Sequence, residues 1–209
     1  MLNQAFLPTM SIKDIDALFQ NYLNILYEKV NKKQVTASLR QENVFETYGE
    51  ILYPSIDKLM SSIQLTEHDV FVDLGSGKGQ IVIHFFLKSL VKAAYGIEIV
   101  PKLHQDAVTA AQILQQELPP FFDNGRQLTF MSGTFLEIPF KTATVALINS
   151  TCFTQSLLNQ LGTIIENTPS IHTVLSLRPI NTLQRLGFKK IIRIECSWDS
   201  ALCYLYTSK

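Results

Sequence analysis

Two rhythms of apolar and polar positions divide the chain. Between residues 12 and 26 the apolar side chains Ile12, Ile15, Leu18, Phe19, Tyr22, Ile25 and Leu26 recur every three or four residues, which is the stripe of an amphipathic helix. Ser11 and Asp14 ahead of it have capping-box spacing, with Asp in place of Glu. A second short amphipathic helix follows Pro54, carried by Ile56, Leu59, Met60 and Ile63. The rhythm then changes. Asp69-Val-Phe-Val-Asp73 is a short apolar run ending in glycines, which predicts a buried parallel strand. After it come a helix from Gln80 to Leu90, a strand from Ala93 to Glu98, a helix from Pro101 to Leu118 with Pro in its first turn, and a strand from Gln127 to Met131. A strand over Ala143–Asn149, a helix over Gln155–Glu166 and a strand over His172–Leu177 continue the alternation. Phe188–Cys196 and Ala201–Thr207 read as a closing hairpin around Trp198-Asp-Ser. Strands alternating with helices imply an α/β fold: a seven-strand sheet, mostly parallel, with helices on both faces, a C-terminal antiparallel hairpin and a short helical N-terminal arm. A break in composition near Thr47 divides the arm, residues 1–46, from the sheet domain, residues 47–209.

Composition narrows the class. The chain has 209 residues, 46% of them hydrophobic, with 18 basic and 18 acidic side chains. That suits a globular domain large enough to bury a core without disulfide or metal staples. Cys152, Cys196 and Cys203 form no CxxC pair and read as buried small apolar residues, while His68, His84, His104 and His172 are scattered; neither set suggests a disulfide framework or a zinc site. A reducing, cytoplasmic setting is the expectation. The first sixteen residues lack the basic and apolar regions of a secretory signal. The longest uncharged run, Thr142 to Ile165, is interrupted by too many polar residues for a membrane span. Net charge is zero but uneven: residues 41–140 carry twelve acids against six bases, and residues 178–193 carry five bases and no acid. Such a cluster is ordinarily a solvated face beside a strand; the alternative is a patch for an acidic partner. Strong nucleic-acid binding is not expected of a chain that is not basic overall.

The most informative segment is Val70-Phe-Val-Asp-Leu-Gly-Ser-Gly-Lys-Gly-Gln80, a strand running through a glycine-rich turn into a helix. Gly75, Gly77 and Gly79 let backbone N–H groups approach a ligand closely, and the following helix start favours an anionic or polar group. A P-loop is excluded, because Val72 stands where its first glycine belongs and Lys78 is followed by Gly79 instead of Ser or Thr. The G-x-G-x-G order also fits a dinucleotide fingerprint poorly. Glu98, ending the next strand, is placed to accept both hydroxyls of a ribose, so the pair of features favours an adenosine ligand without a pyrophosphate.

This combination resembles the S-adenosylmethionine-binding half of class I, seven-strand methyltransferases, with Asp73, Gly75, Gly77 and Glu98 on the motif positions. A closer resemblance follows from Tyr48-Gly-Glu50, Phe71 to Gln80, Tyr95-Gly-Ile-Glu98, Gly133-Thr-Phe-Leu136, Ile148-Asn-Ser150, Ser176-Leu-Arg-Pro179, and Ser197-Trp198 followed by Tyr204. In that order they are similar to the disruptor-of-telomeric-silencing family, the non-SET histone lysine methyltransferases, from about residue 45 onward. The resemblance implies a Rossmann-like fold and S-adenosyl-L-methionine as cofactor, with S-adenosyl-L-homocysteine as product.

It further implies that Tyr48, Gly49 and Glu50 cover the methionine part of the cofactor, flanked by Asp73 and Gln80 beside the Gly75-Ser76-Gly77 turn. Glu98 would hold the ribose and Phe135 would lie near the adenine. The family has aspartate at the Thr134 position, accepting from the adenine amine, so this chain departs there. Asn149 would lie near the transferring methyl, and Trp198 and Tyr204 would line the channel for the lysine, giving Asn149, Trp198 and Tyr204 the catalytic roles. No metal is implied. The expected partner is a protein presenting a lysine, histone or not. The family's nucleosome-binding enzymes carry a basic tail, which this chain, ending at Lys209, does not show. A histone acceptor would imply a nuclear setting. The alternatives are a small-molecule or RNA methyltransferase on the same fold, a non-catalytic S-adenosylmethionine-binding protein and, behind these, a Rossmann oxidoreductase.

Overall fold

The computed structural model describes residues 12–35 and 49–208. Ser11, Tyr48 and the expected boundary between residues 46 and 47 lie outside them. Seven strands form one sheet: β1 (Val70–Leu74), β2 (Ala93–Glu98), β3 (Gln127–Ser132), β4 (Val145–Ile148), β5 (Thr173–Ser176), β6 (Leu186–Glu195) and β7 (Ser200–Ser208). The spatial order is β3-β2-β1-β4-β5-β7-β6. The first five strands are mutually parallel, and β7 enters antiparallel between β5 and β6. β1, β4 and β5 are buried along their whole length, which explains why they read as unbroken apolar runs instead of alternating ones. Strand order reverses between β1 and β4, so ligands are expected beyond the carboxyl ends of those strands.

The helices are α1 (Ile12–Val35), α2 (Tyr53–Ser61), α3 (Gln80–Lys88), α4 (Pro101–Glu117) and α5 (Gln155–Glu166), with a 3₁₀ turn over Pro119–Gly125 that the sequence pattern did not announce. α1 to α4 share one apolar cluster on one face of the sheet, and α5 packs through Leu158, Leu161 and Ile165 on the other. α3 stops at Lys88, two residues short of expectation. Ser89 is extended, and the Arg126 guanidinium donates to the carbonyls of Phe86, Ser89 and Val91, satisfying the groups a further turn would have used. Among the described residues no helix is long and apolar enough to cross a membrane.

The arm helix α1 docks on the body with a face rotated from its apolar stripe, sharing Phe19, Tyr22 and Leu26 with it. Phe19, Leu23, Leu26, Tyr27 and Val30 are buried, whereas Leu18 and Ile25 remain 49% and 39% exposed. Polar ties fix that rotation: Lys88 pairs with Asp16 (2.7 Å), Lys29 with Glu117 (2.5 Å), and the Tyr22 hydroxyl donates to Glu117 (3.2 Å). Lys88 also meets Asp57, whose carboxylate lies 2.7 Å from the buried His84 ring; burial holds the His84 pKa below its ordinary value.

Candidate functional site

The site forms where β1 passes into α3. Gly75 and Gly79 have φ of +91° and +81°, and at Gly79 a Cβ would lie 2.4 Å from the Phe130 ring, so both conformation and space require glycine. The amides of Gly75 and Ser76 donate to the Ile97 carbonyl at 2.9 and 3.0 Å, which presses the turn against the end of β2. Gly96 permits that closeness, since a Cβ there would sit 2.5 Å from Ser76 Oγ. The Glu98 carboxylate is then clamped from two sides: Oε2 accepts from the Gly77 amide and Oε1 from the Val100 amide, both at 2.8 Å. Two amides on separate segments fix its plane, and each oxygen retains a lone pair for a ligand hydroxyl.

Asp73, at the end of β1, is 1% exposed, and its Oδ1 has no hydrogen-bond partner among the described residues; neither has the buried Ser76 Oγ. Burial, reinforced by the Glu98 charge, pushes the Asp73 carboxyl up to about 8. Buried polar atoms without partners are uncommon in folded proteins, and here they face a cavity of about 410 Å³. A ligand with hydroxyls and a cationic group would satisfy both, so these residues fit S-adenosylmethionine.

The sequence-predicted residues converge on that cavity from five segments. The turn supplies Gly75, Ser76 and Gly77, with Asp73 and Gln80 on either side, and β2 supplies Glu98. The loop after β3 brings Thr134 and Phe135, the end of β4 brings Asn149, and the segment before α2 brings Gly49 and Glu50. The Thr134 hydroxyl accepts from the Leu136 amide at 3.2 Å. Asn149 Nδ2 donates to the Gly49 carbonyl at 3.2 Å, tying β4 to the segment that closes the mouth. That segment is itself stitched to the hairpin: Ile51 bridges Cys196, the Ser197 amide donates to the Glu50 carbonyl, and the Glu50 amide donates to Ser197 Oγ. Trp198, in the hairpin turn, lies over Gly49 so closely that a Cβ there would sit 2.0 Å from the indole. Trp198 therefore stands beside the mouth without lining the cavity. Tyr204 lies farther along β7, paired with Ser176 and Ile191, its ring 6.5 Å from that of Phe188, and does not reach the cavity.

Of the lining residues that the sequence reading did not name, three bear most on the site. Ile99, directly past Glu98, is 65% exposed beside the cavity, and Phe153 sets its ring 5.5 Å from Phe135. Both follow the carboxyl ends of strands flanking the crevice, the signal that would have found them. Cys152 is the third. Unlike the buried Cys196 and Cys203 it is exposed, because it belongs to the loop after β4 and not to a strand. The basic run also divides. Arg178 donates to the Phe153 carbonyl and Arg185 to those of Ile165, Thr168 and Ile171, which leaves Lys189, Lys190 and Arg193 exposed on the edge strand β6, where charge opposes edge-to-edge pairing.

No curated protein matches the chain. Among solved structures, an RNA methyltransferase from Salinibacter ruber in complex with S-adenosyl-L-homocysteine is 22% identical, with a TM-score of 0.53 over 74% of this chain and 90% of that one. The tRNA methyltransferase TrmK of B. subtilis is 14% identical, with a TM-score of 0.55 over 76% of this chain and 67% of its own. A putative methyltransferase of Escherichia coli, yhhF, is 11% identical, with a TM-score of 0.53 over 74% of this chain and 84% of its own. At such identities the likeness shows the fold. The family model "Histone methylation protein DOT1" matches residues 28–194, from the arm helix through β6 and thus across every segment that builds the cavity. The chain accordingly belongs to the DOT1 family of histone methylation proteins and is a class I S-adenosylmethionine-dependent methyltransferase.

Proposed function

We propose that this protein transfers a methyl group from S-adenosylmethionine to the side-chain amine of a lysine in a protein. The observation that carries the lysine is the match to the histone methylation family over residues 28–194. In this reading Glu98 accepts the ribose hydroxyls, its plane already set by the Gly77 and Val100 amides. Asp73 and Gln80 receive the methionine part, where a cationic ligand group supplies the partner that Asp73 Oδ1 lacks. Phe135, Phe153 and Ile99 flank the adenine, and Thr134 offers it a hydroxyl. Gly49 and Glu50, with Tyr48 outside the described residues, would cover the methionine end; Asn149 would lie near the transferring carbon, Trp198 beside the mouth and Tyr204 farther along the hairpin.

The bound sulfonium supplies an activated methyl carbon and a neutral thioether leaving group, so the protein needs no strong base. The lysine amine arrives neutral, having lost its proton to solvent; an apolar approach beside Trp198 disfavours the charged form and lowers its pKa. With the cofactor held by Glu98 and Asp73, a neutral amine aligned beside Asn149 would take the methyl carbon as the carbon–sulfur bond breaks, leaving the neutral thioether, and would release its extra proton to solvent afterwards. Alignment and exclusion of water are what the residues contribute.

The test is transfer of labelled methyl to fractionated cell lysate and to nucleosomes, with Gly75→Arg as the inactive control, since φ of +91° strains any side chain there and an arginine on this lining position would fill the cavity. A labelled protein band absent from the control, with the label on lysine by mass spectrometry, supports the proposal. Label confined to RNA or small molecules overturns the acceptor. No label, despite cofactor binding, overturns the enzymatic reading.

A further inference from the structure

We propose that Tyr27 is a positioning residue for the cofactor site: from the arm helix, it holds the glycine turn in the shape that aims the Gly77 amide at Glu98. The inference rests on the reading that this turn receives the cofactor. Its basis is a hydrogen bond of 2.9 Å from the Tyr27 hydroxyl to the Lys78 carbonyl, between residues 51 apart in sequence. Tyr27 is buried with Leu23, Leu26 and Val30 around it, so the ring is held by packing and the hydroxyl is delivered to a fixed point.

The turn requires such a hold. Gly75, Gly77 and Gly79 all have positive φ, and glycine has more alternative conformations to leave than any other residue. On its sheet side the turn is tied to Ile97 by the amides of Gly75 and Ser76. The Gly79 amide closes the turn on the Ser76 carbonyl at 2.9 Å, and between Gly77, which donates to Glu98, and Gly79, which caps α3, the Lys78 carbonyl takes a donor from outside the sheet domain. Other ties of the arm among the described residues run elsewhere, such as Asp16 to Lys88 on α3 and Lys29 and Tyr22 to Glu117 at the end of α4. Tyr27 thus couples arm docking to the ribose clamp, whereas Lys29 fastens the arm without touching the turn. A ligand binding a turn already in shape has less ordering to oppose it, so loss of this hold appears as lost affinity.

The full chain is titrated with S-adenosylhomocysteine by calorimetry as wild type, Tyr27→Phe and Lys29→Ala, and amide hydrogen exchange is followed without ligand. Tyr27→Phe is expected to weaken binding about three- to tenfold, the range of one net hydrogen bond, and to speed exchange across residues 75–80 while β4 and β5 stay protected. Lys29→Ala is expected to leave both unchanged. Wild-type affinity and wild-type exchange in Tyr27→Phe overturn the proposal, and so does equal weakening in both variants, which marks the arm as general stabilisation. If the wild type fails to bind S-adenosylhomocysteine, the cofactor reading falls, and exchange across residues 75–80 still decides whether Tyr27 shapes the turn.

Discussion

Replacing Asp73 by asparagine should stabilise the ligand-free protein while damaging its binding site. The carboxyl is 1% exposed and its pKa is about 8, against 3.8 for the free group. At pH 7 the folded chain therefore holds a proton that the unfolded chain releases, across about 3.2 pH units worth about 1.36 kcal/mol each, a cost of about 4 kcal/mol. Asparagine carries no such penalty, but its amide hydrogens enter a site whose oxygen already lacks a partner, which returns about 2 kcal/mol of the gain. The net expectation at pH 7 is about 2 kcal/mol of added stability, or a Tm higher by roughly 4–8 °C for a domain of this size. The pH dependence supplies the sharper check. Because the native state binds the extra proton, wild-type stability falls as pH rises from about 4 to about 8 and then levels off, while the variant lacks that slope. Its advantage is therefore absent near pH 4 and full near pH 8. Calorimetry should show S-adenosylhomocysteine bound at least tenfold more weakly by Asp73→Asn, and proton release on binding to the wild type near pH 7. A Tm difference that does not grow between pH 4 and pH 8 would refute the reasoning.

Three further outcomes are expected. Glu98→Ala leaves the amides of Gly77 and Val100 without their acceptor and should weaken S-adenosylhomocysteine binding more than tenfold, at least about 1.4 kcal/mol; an unchanged Kd removes Glu98 from the site. Gly49→Ala forces a methyl to within 2.0 Å of Trp198, so the emission of this sole tryptophan should shift to the red and methyl transfer should fall; an unaltered spectrum contradicts the packing. Arg185→Ala strips a charged donor from the carbonyls of Ile165, Thr168 and Ile171 and should cost about 2–3 kcal/mol in chemical denaturation, with cofactor affinity intact, whereas a solvated-patch role predicts almost no loss.

What the sequence disclosed is what local pattern encodes. The strand of Val70–Leu74, the glycines after it and the acid at Glu98 each announce themselves within a few residues, and their meeting follows from parallel pairing of β1 with β2. Interactions between distant segments stayed hidden. Periodicity gave α1 an apolar side but could not show which part of it would be covered, because Asp16, Tyr22 and Lys29 choose the rotation through partners on α3 and α4. The end of α3 depends on Arg126, and the fate of Arg178 and Arg185 on carbonyls that no charge count reveals. Phe153 and Ile99 carry no local signal, and they meet at the cavity only because β2 and β4 flank β1 and end on the same side of the sheet.

The placement of β7 inside β6 has a consequence for the order of assembly. The Gly77–Glu98 hydrogen bond joins residues 21 apart in sequence, whereas the mouth, where Glu50 meets Ser197, joins residues 147 apart and requires the hairpin to have inserted beside β5. Contacts of long sequence separation form late because their loops are the most expensive to close. A newly folding chain is thus expected to hold the nucleoside end of its ligand before it has a wall against which an acceptor can be methylated.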